Sequence, residues 1–246
     1  MIYCLSDIHG DYEKYIKILK LIRFSSDDTL YILGDVIDRG ADGLAILRDM
    51  MFRPNVIPIL GNHEYIALSC LKWLSKEINE ETVEQLHETD MGALMSWIEN
   101  GGQPTINEFQ RLSREYREDI LEYIKDFSLY EEIIVGGRQF ILVHAGPDNF
   151  LPERPLNDYA LYELLFTRLN YNKVYYQNKY LVTGHTPTRL IYAAQNHLAL
   201  DSGDIISGKY DRIYQKHNHI AIDCGCGHGG RLAAVCLDTL EEFYAD

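Results

Sequence analysis

The stretch Leu30-Tyr31-Ile32-Leu33-Gly34-Asp35-Val36-Ile37-Asp38-Arg39-Gly40 decides how the chain is read. An apolar run of strand length enters a glycine turn and then two carboxylates and a guanidinium. Such a run, without polar alternation, is what a strand buried on both faces looks like. The format recurs along the chain. Ile2 to Leu5 ends in Ser6-Asp7-Ile8-His9-Gly10, and Val56 to Leu60 in Gly61-Asn62-His63-Glu64. Phe140 to Val143 ends in His144-Ala145-Gly146, and Tyr180 to Val182 in Thr183-Gly184-His185-Thr186-Pro187. Ligands of α/β folds gather outside the carboxyl ends of strands, so these ends are expected to converge on one site.

Between the runs, apolar residues step by three and four. Tyr12, Tyr15, Leu19 and Ile22 form one stripe, and Phe109, Leu112, Tyr116, Ile120, Tyr123 and Phe127 another. Both read as core faces of helices. Residues 65–130 lack a good strand and carry many charges, which predicts a mainly helical insertion over or beside the strand ends, a source of specificity. After Pro187 the pattern turns to short β segments at Leu198–Asp201, His219–Asp223 and Leu232–Leu237, separated by Gly-rich turns, which predicts a second sheet, mixed or antiparallel. No linker divides the 246 residues, so one continuous domain over 1–246 is expected.

Composition narrows the function classes. A net charge of −14 repels phosphate backbones and anionic lipid, so neither nucleic acid nor membrane is expected as a partner. An anionic substrate must therefore meet a local positive site. Five scattered cysteines read as reduced thiols. With no signal peptide at Met1 and no long apolar run, a soluble, cytoplasmic protein is expected. Oligomeric state is not readable.

Asp7, His9, Asp35, Asn62, His144 and His185 together offer carboxylate, imidazole and amide donors but only two negative charges. Two divalent ions held by them would keep a net charge of about +2, a sink for phosphate. Asp7 and His9, two residues apart, point to the same side if strand geometry persists. A carboxylate bridging the ions would hold them about 3.5–4 Å apart, and a water shared between them would ionise near neutral pH. The donor set suits manganese, or iron or zinc, better than calcium or magnesium. His63 is free to act as a general acid, Asp38 to hold it protonated, and Arg39 to grip two phosphate oxygens.

Those motifs carry a resemblance. DIHG at Asp7–Gly10, GDVIDRG at Gly34–Gly40, GNHE at Gly61–Glu64, VHAG at Val143–Gly146 and GHTP at Gly184–Pro187 resemble, in order and spacing, calcineurin-like metallophosphoesterases of the phosphoprotein phosphatase type, in particular their small bacterial and phage members. Trp97-Ile98-Glu99-Asn100-Gly101-Gly102 is similar to their W-x-x-N-G-G stretch, and Leu165-Phe166-Thr167-Arg168 to their L-W-x-R, with Phe166 in place of tryptophan. The resemblance implies an α/β fold, a four-layer αββα sandwich of two mixed β-sheets flanked by helices. It implies one metal on Asp7, His9 and Asp35, and a second on Asp35, Asn62, His144 and His185. His63 would be the acid, Asp38 its partner, and Arg39, Arg168 and Asn62 the phosphate-binding side chains.

The leading expectation is a manganese-dependent serine/threonine protein phosphatase acting on a phosphoprotein or phosphopeptide by direct attack of a metal-bridging hydroxide. The alternative is a symmetrical diadenosine tetraphosphate hydrolase or another nucleotide phosphodiesterase or phosphoanhydride hydrolase, against which Asp38 weighs, since those hydrolases usually lack an aspartate there. A phosphate-binding module without turnover is disfavoured, because binding alone needs no proton donor. Cys224, Cys226 and His228 are too tightly spaced for a zinc knuckle and read as a strand end with a Gly-rich turn. Gly203 to Tyr210 nearly matches a P-loop, but tyrosine stands where a metal-binding hydroxyl is needed.

Overall fold

A computed structural model describes residues 1–75, 88–201 and 203–246. Among these residues, ten strands form two five-stranded sheets. The first has the order β10-β9-β1-β2-β3, with β1 Ile2–Leu5, β2 Thr29–Leu33, β3 Val56–Ile59, β9 Leu232–Cys236 and β10 Glu242–Ala245. The second has the order β4-β5-β6-β8-β7, with β4 Tyr130–Val135, β5 Arg138–Val143, β6 Lys179–Thr183, β7 Tyr214–Lys216 and β8 His219–Ala221. Both are mixed. β1, β2 and β3 run parallel, as do β5, β6 and β8. The outer pairings, β9 with β1 and β10, β4 with β5, and β7 with β8, are antiparallel.

Strand periodicity builds three cores from these two sheets. Tyr3 and Leu5 of β1, Leu30 and Ile32 of β2, and Leu232 and Ala234 of β9 face a first core on the outside of sheet one. The intervening Cys4, Tyr31, Leu33, Ala233 and Val235 face inward. There they meet Phe140, Leu142, Val182 and Ile220 of the second sheet, so the sheets pack face to face. Ile141, Val143, Leu181 and Ala221 look outward onto a third core beneath helices. Two mixed sheets flanked by helices are thus the observed architecture. Burial on both faces is why these strands read as unbroken apolar runs.

On the outer face of sheet one lie α1 Tyr12–Leu21, α2 Gly43–Met51, α3 Asn62–Leu74, α4 Glu88–Trp97, α5 Gln103–Arg111 and α6 Arg114–Lys125. Trp97, Ile106, Phe109, Ile120, Leu121 and Ile124 of this set join the first core. Within 65–130 the described residues are mainly helical, with Tyr130 already opening β4, and residues 76–87 lie outside the described residues. The stripe from Phe109 to Phe127 is two helices, not one. Ser113 breaks it, its hydroxyl capping α6 by accepting from the Tyr116 N–H. The second sheet carries α7 Leu161–Leu165 and α8 Thr188–Gln195, with the short α9 Gly203–Ile206 following.

One expectation about the last sixty residues is corrected: Leu198–Asp201 is not a strand but a turn between α8 and α9, since no neighbouring edge pairs with it. The expected second sheet is present and mixed; β8 joins it beside β6, whereas β9 inserts beside β1 in the first. The stretch Cys224 to Gly229 is a Gly-rich turn, with Gly225 and Gly229 left-handed at φ 77 and 74, and the Cys226 thiol donates to the Ile8 carbonyl. Neither metal-capable group among the described residues contains a cysteine. No helix among them is long and apolar enough to cross a membrane.

Candidate functional site

All five strand ends meet. Asp7 follows β1, Asp35 follows β2, Asn62 and His63 open α3 after β3, His144 follows β5 and His185 follows β6. Asp7 and His9 do not converge by strand alternation, because β1 stops at Leu5. Instead Asp7, His9, Asp35, Asp38, Arg39 and His185 all sit in left-handed backbone, with φ between 49 and 71. Each such residue costs about 1–2 kcal/mol, and the surrounding bonds hold them there. The Asp7 N–H donates to Gly34, the His9 N–H to Asp35, the Arg39 N–H to Gly101 and the Gly40 N–H to His9, all at 2.8–3.0 Å. Such strain collects at functional centres.

Asp35 is the centre of the cluster. Its Oδ1 lies 3.5 Å from His144 Nε2, and its Oδ2 lies 3.7 Å from His9 Nε2 and 3.9 Å from His63 Nε2. Two groups of donors therefore share it: His9, Asp35 and His63, and Asp35, His144 and His185, with donor atoms within 4.8 Å in each group. Asp7 Oδ1 is 4.0 Å from His9 Nε2, and Asp7 Oδ2 accepts from the His185 N–H at 2.9 Å. Asn62 Oδ1 stands 2.9 Å from His144 Nε2 and 3.0 Å from His185 Nδ1.

The imidazoles are oriented from behind. His9 Nδ1 donates to the Ile37 carbonyl at 3.0 Å, and His144 Nδ1 to that of Leu33 at 2.7 Å. A neutral imidazole has one N–H, so both Nε2 lone pairs are left facing the cluster. Burial, opposed by Asp35 but aided by Arg39 and His63, pushes His9 well below its ordinary value. Burial and His144 bring His185 down to about 3. Both rings are therefore neutral near pH 7. Burial, Asp223 and Asp35 push the Asp7 carboxyl well up. Asp35 goes the other way: burial disfavours its charge, but His144, His63, His9 and His185 outweigh that and hold it below the usual carboxylate range. Lone pairs and crowded carboxylates aimed at one small volume are a donor set that fits divalent cations.

His63 is held by Asp38. Its Nδ1 donates to Asp38 Oδ2 at 2.6 Å. Burial works against protonation of this ring, yet Asp35 and the Asp38 bond overcome it and leave the imidazole above its ordinary value. Asp38 is wholly buried and takes two more bonds, from Trp97 Nε1 at 2.7 Å and Thr105 Oγ1 at 2.6 Å. Arg39 reaches His9 Nε2 with Nη1 at 2.7 Å and lies 3.3 Å from His63 Nε2. Arg168 is exposed, and its charge is felt at His185 and Asp223.

Four residues of the site were given no role by the sequence reading. Glu64, fully buried, accepts from the N–H groups of Asp35, Val36, Ile37 and Gly61 and so sets the loop that carries Asp35. A carboxylate two residues after a donor amide was the available signal. Asp223 is buried beside Asp7, and its Oδ1 accepts from the Gly225 N–H. Burial, with Asp35 beyond it, raises its carboxyl to about 6. Trp97 and Thr105 lie 59 and 67 residues from Asp38, and nothing local connects them to it. Gly227 is a further constraint, because a Cβ there would fall 2.3 Å from His9 Cδ2.

Comparison with known proteins follows the same lines. The model of the calcineurin-like phosphoesterase family matches residues 1–228. A relative from Wigglesworthia glossinidia brevipalpis is 40% identical over 100 residues, covering 39% of this chain and 36% of that protein. One from Acidovorax sp. (strain JS42) is 29% identical over 147 residues, covering 59% of this chain and 43% of that protein. Both are named bis(5'-nucleosyl)-tetraphosphatase, symmetrical. The chain thus aligns with less than half the length of either. A crystal structure provisionally described as a diadenosine tetraphosphatase superposes with a TM-score of 0.65 at 18% identity, covering 99% of this chain and 92% of that one. A cold-active protein tyrosine phosphatase superposes at 0.52 and 16% identity, covering 99% and 78%. These two share the fold.

The expectation of a serine/threonine protein phosphatase with a phosphopeptide partner is corrected by the names of these relatives, which point to a dinucleoside tetraphosphate. The misleading residue was Asp38. It faces Trp97, Thr105 and His63, all inside the protein, and so is not placed to select the substrate by contact. With a family model spanning most of its length and the motif residues gathered at one point, the chain belongs to the calcineurin-like phosphoesterase family.

Proposed function

We propose that this chain hydrolyses dinucleoside tetraphosphates symmetrically, with two divalent ions held by Asp7, His9, Asp35, Asn62, His144 and His185. The observation that carries the reading is Asp35 set between His9 on one side and His144 and His185 on the other, taken with the name borne by the relatives. Such ions, manganese first and iron or zinc next for this donor set, supply positive charge to phosphate oxygens and acidify water. The chain's own residues do the rest. His9 and His144, anchored on Ile37 and Leu33, keep their ligand faces fixed. Arg39, with Arg168 at the rim, grips non-bridging oxygens of the attacked phosphate. His63 Nε2 delivers a proton to the departing diphosphate oxygen while Asp38 stabilises the imidazolium.

The test uses purified chain stripped of metal and resupplied with single divalent ions. Diadenosine tetraphosphate is expected to yield adenosine diphosphate alone, at a kcat/KM well above that on a phosphothreonine peptide. Formation of mono- and triphosphate, or faster turnover of the peptide, overturns the reading. His63→Asn is expected to lose turnover with its metal content unchanged.

A further inference from the structure

A groove of about 460 Å³ opens beside His9 and Arg39 and is lined further out by Asp11, Tyr12, Lys14 and Asp42. Its volume lies in the range of small-ligand sites. The charged groups in it are not equally available. Asp11 caps α1 by accepting from the Lys14 N–H at 3.0 Å, and its other oxygen holds Lys14 Nζ at 2.8 Å. Carboxylate and ammonium thereby occupy one another, so Lys14 is not free to grip a phosphate.

Asp42 differs. It stands at the N-cap of α2 but, at φ −122 and ψ 30, makes no capping bond. Glu108 of α5 does that work from outside, its Oε2 accepting from the Leu44 N–H at 3.1 Å. Asp42 is exposed, lines a groove next to the reacting centre and is not used in a cap, so its carboxylate can accept from a bound ligand's donors. Phosphate has only acceptors to offer and is repelled by it. The nearest group of a dinucleotide that offers two adjacent donors is the 2′,3′-diol of a ribose, and carboxylates bind that group in other nucleotide folds.

We infer that this groove seats the nucleoside of one half of the substrate, with Asp42 accepting from the ribose diol and Tyr12 lying against the sugar and base. The inference rests on the proposed dinucleotide activity. The test compares diadenosine tetraphosphate with its 2′,3′-dideoxyribose analogue on the manganese-loaded full chain and on Asp42→Ala. The native chain is expected to lose about tenfold in kcat/KM on the analogue. In D42A the two substrates become equivalent, through loss on the ribose form, while the thermal midpoint stays put because no cap bond is removed. D42A that still discriminates, or a native chain that never does, overturns the subsite and leaves the proposed activity standing. A chain that cleaves neither dinucleotide but does cleave an aryl phosphate overturns both.

Discussion

Replacing Asp38 separates the two jobs assigned to it. Three donors converge on this buried carboxylate, from His63, Trp97 and Thr105, all within 2.7 Å. Asp38→Ala strands them in a place without water, at about 1–3 kcal/mol for each buried donor left unpaired. A total near 3 kcal/mol or above is a large part of a domain's stability. Asp38→Asn keeps the shape. Its amide oxygen can stay with His63 and Trp97, and the Thr105 hydroxyl, which also accepts from the Asp38 N–H at 3.0 Å, can turn to accept from the new NH₂. What disappears is charge, so charge-assisted bonds become neutral ones and the loss of stability is about 1–2 kcal/mol. Chemistry suffers more than folding, since the imidazolium of His63 loses its counter-ion. The assays are urea denaturation and kcat over a series of phosphate esters with increasingly basic leaving groups. For D38N the deficit should grow along the series, towards the 10²–10⁴-fold typical of a lost general acid. A uniform deficit across all leaving groups would refute the link between Asp38 and proton delivery. An unperturbed D38A would refute its place as a buried acceptor.

Asp35→Asn should abolish binding of both metal ions, read by elemental analysis after dialysis, and retention of either ion at native affinity contradicts the shared position. Gly227→Ala places a methyl 2.3 Å from His9 Cδ2. It should cut kcat/KM by at least about tenfold through displaced ligand geometry while helicity by circular dichroism stays native, and full activity would show that the turn can yield. His219, buried and stacked on Tyr171, is pushed by burial down to about 3 from 6.5. Because its folded value is the lower one, its contribution is complete above about pH 6.5 and is lost as pH falls towards 3. The native protein should forfeit about 2 kcal/mol between pH 7 and pH 5 from this residue, and His219→Phe should flatten that part of a urea-midpoint profile. An unchanged slope in the variant assigns the acid sensitivity to other groups.

Legibility in the sequence tracked how local the cause was. Strands buried on both faces declare themselves in any window of five residues, as Leu30 to Leu33 and Phe140 to Val143 do. The donors at their ends, from Asp7 to His185, were readable for the same reason, and hydrogen bonds and close approaches link them around Asp35. Pairing is not local. Which sheet receives Leu232–Cys236 depends on the exposed edge of β1, which the segment itself does not encode. Leu198–Asp201 has a strand's composition and no edge to join. The reach of Trp97 and Thr105 to Asp38 is set by how α4 and α5 lie on sheet one, so no spacing rule could reveal it. Substrate class failed for another reason. Asp38 looked like a specificity residue because it sits among ligands, yet its environment is entirely internal.

The bonds from Trp97 and Thr105 run from an outlying helical segment to the carboxylate that holds His63, the proposed proton donor. The acidity of the reaction centre is therefore tied to how that outer segment sits. Sequence drift there, at positions remote from any phosphate, can retune turnover without touching a single ligand.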